Sequence, residues 1–155
     1  MKYGSELITW SNTFSCGIKL IDDQHKGLVE LVNNMFNHAT GDAKQEHEYF
    51  NKVIQQATDY IKVHFATEEK IMRAVQYPGY TAHKRAHDSF VLEVLDNIRD
   101  YETEKYHTLF SFTKFLKNWV LSHIAVMDKQ YFLYIKQMMT HNTSERVRTA
   151  TAKIA

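Results

Sequence analysis

The scarcity of helix-breaking residues constrains the fold of this chain more than any other feature. The 155 residues include only five glycines and one proline, which is few for a fold built on many tight turns. Between these breakers, apolar residues recur at the three- and four-residue spacing of one helix face. The pattern predicts helices over about residues 19–39, 43–75, 81–102 and 106–139. No strand-like alternation competes, and the connections are short. We therefore predict an all-α, up-down-up-down antiparallel four-helix bundle.

Residues near the breakers predict where the helices begin and end. Thr40, Gly41 and Asp42 end the first helix, and Asp42 is expected to cap the second. The Pro78-Gly79 turn ends the second helix. Thr81 is expected to cap the third.

Two segments lie outside the predicted helices. Residues 1–18 form an arm that is expected to pack against the bundle, because it carries the apolar residues Ile8, Trp10, Phe14 and Ile18. From Thr140 the apolar stripe is lost, so the domain is predicted to span residues 1–139. Residues 140–155 then form a C-terminal tail, which is a frayed end, a short helix or the start of a further connection.

Composition excludes several classes of protein. The chain is 44% hydrophobic with a formal charge of +1, so disorder is not expected, and neither nucleic acid nor an acidic membrane surface is an expected partner. The single cysteine, Cys16, excludes an internal disulfide and fits a reducing interior. The N-terminus shows no long apolar run. We predict a cytoplasmic protein that is not bound to a membrane.

The nine histidines are many for this length, and several lie on the apolar stripes. His64 and Glu68 share one helix face, as do His83 and His87, because four residues are about one helical turn. The full inward-facing set comprises His25, His64, Glu68, His83, His87, His123 and Asp128. A lone histidine on such a face is usually a core residue, but here all four helices carry one. Buried polar groups without partners cost about 1–3 kcal/mol each, and metal ions would remove that cost.

Asp128 fits this pattern less simply than the other six residues. It follows His123 by five residues, which places it some 140° around an ideal helix at about 100° per residue. It must approach the centre from the side of the seam, or the helix must be overwound or underwound there.

Seven ligands are too many for one six-coordinate ion, so we consider two. If both carboxylates and one solvent oxygen bridge, the five histidines divide as three and two. One metal is then six-coordinate and the other five-coordinate, with an open position. Nitrogen and oxygen ligands in this geometry suit iron or manganese. A small molecule such as dioxygen could bind at the open position.

The quoted motifs resemble those of bacterial hemerythrins. The ordered set reads ITW, GIKLIDDQH, HFATEEKIM, YPGYTAHKRAH and WVLSHIAVMDKQY. The resemblance runs from about Ile8 to Tyr134 and includes all seven ligand positions in order. It implies a non-haem di-iron centre that binds dioxygen reversibly, as a hydroperoxide, on the iron with the open position.

The resemblance also implies a role for each residue. His83, His87 and His123 are expected to hold the iron whose coordination positions are all filled. The other is expected to bind His25 and His64. A solvent-derived oxo or hydroxo group completes the bridge that Glu68 and Asp128 form. By helical spacing, the dry oxygen pocket is expected to comprise Leu28, Phe65, Trp119, Val120 and Ile124. Val120 stands where relatives often have leucine.

Several polar residues receive a less specific interpretation. Glu69 is expected to be a charge on the helix surface, and Tyr131 either a hydrogen-bonding group near the ligands or a core residue. The histidines that fall off the pattern are expected to be exposed: His38, His47, His107 and His141.

The function implied is oxygen storage or delivery by a protein that is not an enzyme. A second hypothesis is an oxygen or redox sensor module that signals through the tail. A third is an enzyme that reduces peroxide or nitric oxide at the same centre. An oxygen-using enzyme is a candidate recipient, and a homo-oligomer stays open.

Overall fold

Long helices account for most of the chain in the computed structural model, which describes residues 7–103 and 108–140. The helices are α1 (Lys19–Asn37), α2 (Ala43–Ala74), α3 (Tyr80–Glu102), α4 (Leu109–Ser122) and α5 (Asp128–Thr140). A five-residue π turn (His123–Met127) joins α4 to α5 without a break. The described residues contain no strand. The prediction of an all-α four-helix bundle is confirmed, with α4, the π turn and α5 forming the fourth helix.

Parts of three predicted segments lie outside the described residues. These parts are residues 1–6 of the arm, residues 106–107 at the start of the fourth helix, and residues 141–155 of the tail. Within residues 7–103 and 108–140, none of the helices combines the length and apolarity that crossing a bilayer would require.

The helix starts follow the local side chains, with one correction. Asp42 caps α2 as predicted, because its side chain accepts a hydrogen bond from the Gln45 N–H at 3.0 Å. The Thr81 cap is wrong. Gly79 precedes α3 (φ −86°, ψ 9°), and Tyr80 is already helical. The Pro78-Gly79 turn has therefore bent the chain into the helix before Thr81 is reached.

The buried Glu46 joins two helix starts that are distant in sequence. Its carboxylate accepts hydrogen bonds from the Gly41 N–H at 2.6 Å and from the Leu109 N–H at 3.3 Å. Gly41 adopts a positive φ of 92°, which a residue with a side chain rarely does. Glu46 thus fixes the turn before α2 against the first residue of α4.

The core has two apolar parts, which lie on either side of the middle of the bundle. The larger part contains Phe50, Phe90 and Phe112 among its aromatic residues, together with aliphatic residues of α1. The smaller part surrounds Ile71 and Tyr131. Titratable side chains lie between these two apolar regions, where water is excluded on both sides.

The described part of the arm packs on the bundle as predicted, with Ile8 buried and Trp10 and Phe14 against the core, and its backbone adds hydrogen bonds that the sequence did not predict. The Asn33 side-chain oxygen accepts hydrogen bonds from the N–H groups of Leu7 and Ile8, both at 2.9 Å. Its amide nitrogen donates to the Ile8 carbonyl at 2.8 Å. Ile8 is buried in the larger part of the core. One asparagine therefore holds the start of the arm against α1.

Asp22 holds the end of the arm. Its carboxylate accepts hydrogen bonds from the Ser15 hydroxyl at 2.7 Å and from the N–H groups of Cys16 at 2.8 Å and Gly17 at 3.3 Å. Partial burial acts to raise the pKa of Asp22, but these donors outweigh burial and lower it. The ionised carboxylate therefore favours the folded state.

We expect Asp22→Asn to lower the free energy of unfolding by about 1 kcal/mol at pH 7, because charge-assisted hydrogen bonds are lost at a partly exposed site. A lowered folded-state pKa stabilises the protein above the unfolded pKa of an aspartate. This contribution is lost as the pH falls through the folded value. The difference between wild type and variant should therefore shrink in acid. Urea unfolding at several pH values measures it.

Asp23→Asn is the matched control. It removes the same charge from the next residue, which pairs with Lys19 at the surface. A loss as large as that of Asp22→Asn would contradict the role given to Asp22.

Candidate metal centre

The seven residues predicted to face inward converge at the middle of the bundle. His25 comes from α1, a histidine and a glutamate come from α2, and two histidines come from α3. The remaining pair lies at the two ends of the π turn. Each of the seven residues is 2% exposed or less: His25, His64, Glu68, His83, His87, His123 and Asp128.

The side chains form two groups that share both carboxylates. One group comprises His83, His87 and His123 with the two carboxylates, and the other comprises His25 and His64 with the same two. Within each group, one potential ligand atom from every residue lies within 4.8 Å of the others. The division into three and two histidines is the one that the sequence predicted.

Asp128 lies between the two groups and faces each with a different oxygen. Its Oδ2 is 2.9 Å from His25 Nε2. Its Oδ1 is 3.0 Å from His83 Nε2 and 2.8 Å from His123 Nε2. A carboxylate in this position can bind one metal through each oxygen.

Glu68 approaches both groups with a single oxygen. Its Oε1 is 2.7 Å from His64 Nε2, 3.7 Å from His87 Nε2 and 3.6 Å from His123 Nε2. Its other oxygen, Oε2, accepts a hydrogen bond from the Tyr131 hydroxyl at 2.7 Å. Burial raises the pKa of Tyr131 well above its usual value, so the hydroxyl keeps its proton and donates. Tyr131 is therefore the hydrogen-bonding group that the sequence allowed.

The π turn brings Asp128 onto the inward face. The Asp128 N–H donates to the His123 carbonyl, so the backbone bond spans five residues where an α-helix spans four. This wider turn is locally underwound, and it cancels most of the offset expected for an ideal helix. Of the alternatives left open by the sequence, the structure shows the underwound helix.

Several polar atoms in the cluster are buried without a hydrogen bond. Among the described residues these include the Nε2 atoms of His25 and His64, the Oε1 of Glu68 and both oxygens of Asp128. Some lie as close as 2.7 Å to an opposing atom, but their angles do not fit a hydrogen bond. Each such atom costs about 1–3 kcal/mol. A positive ion between them would bind these lone pairs.

The distances suit a metal ion of six-coordinate geometry. The Nε2 atom of His123 is 3.2 Å from that of His83 and 2.9 Å from that of His87. Adjacent octahedral ligands at about 2.1 Å from a metal are about 3.0 Å from each other. The donor set of imidazoles and carboxylates favours iron or manganese over calcium or magnesium. The residues present therefore fit a pair of such metals.

The electrostatics keep His87 and Glu68 in the forms that bind metals. Burial and the neighbouring histidines lower the pKa of His87 to about 2 against the opposing charge of Glu68, so its imidazole is neutral with a free lone pair. Burial opposes ionisation of Glu68, but the imidazoles of His64 and His123, 2.7 and 3.6 Å from its Oε1, hold its pKa well below the usual value. Burial and repulsion from Glu68 raise the pKa of Asp128 to about 7. A bound cation would offset that repulsion.

Two of the histidines have outer partners that the sequence did not predict. The Oε1 of Gln24 accepts from His64 Nδ1 at 2.7 Å, and the Oε2 of Glu69 accepts from His87 Nδ1 at 2.8 Å. The prediction that Glu69 is a surface charge is wrong, since its side chain is only 13% exposed. The sequence signal that could have identified these partners is their position next to predicted ligands. Gln24 directly precedes His25, and Glu69 directly follows Glu68.

The other histidines lie away from the cluster where they are described. His38 is exposed, as expected. The expectation that His47 is exposed is wrong, because it is half-buried and stacks on Tyr101 at a ring-centroid distance of 5.6 Å. His107 and His141 lie outside the described residues.

Apolar side chains cover the cluster on the side of the larger core. Phe65 stacks on His87 with ring centroids 3.8 Å apart, and Trp119 stacks on His123 at 4.3 Å. The structure places the five residues predicted to form the oxygen pocket in or against the larger part of the core: Leu28, Phe65, Trp119, Val120 and Ile124.

We expect Tyr131→Phe to lower the free energy of unfolding by about 1–3 kcal/mol, because it leaves a buried carboxylate oxygen without its donor. Denaturant unfolding measures the change. Tyr134→Phe is the control, since its hydroxyl makes an exposed bond of 3.3 Å to the Gln76 carbonyl. Equal losses in the two variants would show that the Tyr131 hydroxyl has no special role.

Comparison with known proteins identifies the family. The family profile described as the hemerythrin HHE cation binding domain matches residues 16–135. A bacteriohemerythrin of Methylococcus capsulatus is 29% identical over 126 residues, which cover 81% of this chain and 94% of that protein. A bacteriohemerythrin of Pseudomonas aeruginosa is 30% identical over 142 residues, which cover 91% of this chain and 87% of that protein.

A solved structure gives the same result. A crystal structure of wild-type hemerythrin superposes with a TM-score of 0.70 at 30% identity, covering 81% of this chain and 95% of that one. The matched region of the family profile contains all seven clustered residues. The chain therefore belongs to the hemerythrin family of di-iron, oxygen-binding proteins.

Proposed function

We propose that this protein binds dioxygen reversibly at two irons, for oxygen storage or delivery. The observation that carries the proposal is the pair of buried ligand groups that share Glu68 and Asp128. Shared carboxylates hold two metals close together, and unequal numbers of histidines leave the two metals with different coordination. The family of the chain supports iron as the metal and dioxygen as the ligand.

Each residue of the cluster has a role in this proposal. His83, His87 and His123 hold one iron and fill it. His25 and His64 hold the other, which keeps a position open. Glu68 and Asp128 bridge the two irons, together with a solvent-derived oxo or hydroxo group.

The irons would supply the electrons for reversible binding, and the protein supplies the surroundings. The five imidazoles would hold the two irons without adding negative charge. Tyr131 donates to Glu68 and so fixes the orientation of that bridge. Phe65 and Trp119 stack on ligand imidazoles and exclude water from that side. A dry wall of this kind favours retention of the bound ligand over its loss to protons and water.

The test is iron analysis combined with optical spectra of the reduced protein before oxygen, after oxygen, and after oxygen is removed. We expect two irons per chain and a charge-transfer band that appears and disappears reversibly. One zinc per chain, or no oxygen-dependent band, would refute the proposal. Steady turnover of peroxide or nitric oxide would favour an enzyme instead. An oxygen-dependent change in the shape of the bundle would favour a sensor.

Single substitutions test the ligand assignment. Glu68→Ala and His87→Ala should each lose at least one iron, because each removes a buried ligand. His38→Ala is the matched control, since it removes an exposed imidazole and should keep both irons. Retention of both irons and of oxygen binding in either ligand variant would contradict the assignment.

The apolar wall can be tested at Val120, which is 3% exposed. Val120→Ala should speed the irreversible oxidation of the oxygenated protein several-fold, because the space it leaves admits water beside His123. The decay of the charge-transfer band in air measures this rate. Val32→Ala makes the same change in the same part of the core, about 10 Å along α1 from His25 by helical rise. Equal acceleration in both variants would assign the effect to general destabilisation.

A further inference from the structure

The outer partners of His64 and His87 differ in charge. Glu69 accepts from His87 Nδ1 at 2.8 Å with a carboxylate, whereas Gln24 accepts from His64 Nδ1 at 2.7 Å with a neutral amide. Both bonds leave Nε2 of the imidazole facing the cluster. The two ligand groups are therefore oriented by similar bonds but receive different charges.

The orientation of the Gln24 amide is fixed by its neighbours. The Thr67 hydroxyl donates to the Val63 carbonyl at 2.9 Å, so its oxygen can accept from Gln24 Nε2 at 3.2 Å. This leaves Gln24 Oε1 to accept from His64. The Tyr60 hydroxyl donates to the Gln24 backbone carbonyl at 2.8 Å. Gln24 is held from three sides and adds no net charge.

The charge at Glu69 is kept close to the imidazole. The Glu69 side chain is 13% exposed, and the Lys84 ammonium lies 3.7 Å from its Oε1. Lys84 is nearer to Asp88, at 3.1 Å, so its charge is divided between two carboxylates. A half-buried charge is screened less by solvent than an exposed one. Lys84 and Arg73 offset part of the negative charge of Glu69, and the 2.8 Å bond to Nδ1 brings the carboxylate directly against His87.

The other two imidazoles whose outer nitrogen is buried receive no such charge. Within the described part of the chain, the Nδ1 atoms of His25 and His123 have no hydrogen-bond partner. His25 belongs to the two-histidine group and His123 to the three-histidine group. His64 and His87 are therefore the two histidines to compare, because both donate to an outer side chain and only the partner of His87 is charged.

We propose that Glu69 and Gln24 are positioning residues that add to the difference in coordination between the two metals of the centre and favour oxidation of the metal bound by His87 over that of the metal bound by His64. This rests on the proposed di-iron function. An imidazole that donates to a carboxylate gives more electron density to its metal, and hydrogen bonds to charged acceptors are stronger than those to neutral ones. Greater electron density stabilises the higher oxidation state. Gln24 holds His64 in place without this effect.

A reciprocal exchange of the two partners tests the inference. The iron-loaded full chain is titrated without oxygen, by spectroelectrochemistry, with two irons per chain verified for each variant. Glu69→Gln keeps an acceptor but removes the charge, and should shift the lower-potential step to more positive values. Gln24→Glu adds a charge beside His64 and should shift the higher-potential step to more negative values. The separation between the steps should shrink in both variants.

Asp96→Asn is the matched control. It removes the same charge from α3, but Asp96 is 65% exposed and pairs with Arg99. Its shift should be much smaller than that of Glu69→Gln. Equal shifts in these two variants would overturn the inference, because they would reflect general charge.

Two further outcomes also decide the question. If neither step moves while both irons are retained, Glu69 and Gln24 act only structurally and the inference is wrong. If Glu69→Gln loses an iron, Gln24→Glu decides alone. A shift of its higher-potential step to more negative values supports the inference, and the absence of that shift contradicts it. If the wild type does not bind two irons, or does not bind oxygen reversibly, the proposed function is refuted instead.

Discussion

The Asp128 carboxylate lies between two groups of buried histidines, and the rest of the bundle is arranged around this contact. Its two oxygens lie 2.8–3.0 Å from nitrogens of three different helical segments. Burial and repulsion from Glu68 raise its pKa to about 7. Such a group is costly in a dry core unless positive charge lies beside it. The fold therefore holds an arrangement that a bound cation would stabilise.

The apolar regions on either side of the cluster make this arrangement rigid. Phe50, Phe90 and Phe112 pack on one side, and Ile71 and Tyr131 pack on the other. The helices are thus fixed to each other above and below the polar layer. The flanking cores position the polar groups of the cluster, but several atoms of these groups have no hydrogen-bond partner among the described residues. Hydrogen bonds from the next layer of side chains then orient two of the imidazoles, those of His64 and His87, and the Glu68 carboxylate.

The fold and six of the seven clustered residues could be predicted because they follow from helical periodicity, whereas the inward position of Asp128 depends on the π turn. Few breakers and a regular apolar stripe define the helices, and polar residues on that stripe must face inward. Other features depend on contacts between elements, which periodicity does not encode. Glu69 meets His87 across two helices, and Glu46 meets Leu109 across 63 residues of sequence. The Thr81 cap was wrong because the turn before it had already taken a helical path.

The π turn also changes how the fourth helix is to be aligned and redesigned. His123 and Asp128 both face inward at a spacing of five residues, one more than the four of a regular α-helix. A repeat-based alignment drawn through the whole helix would place one half of it on the wrong face. The extra residue acts as an insertion that the backbone absorbs within five positions. Substitutions planned for α5 should therefore be counted from Asp128 rather than from the start of α4.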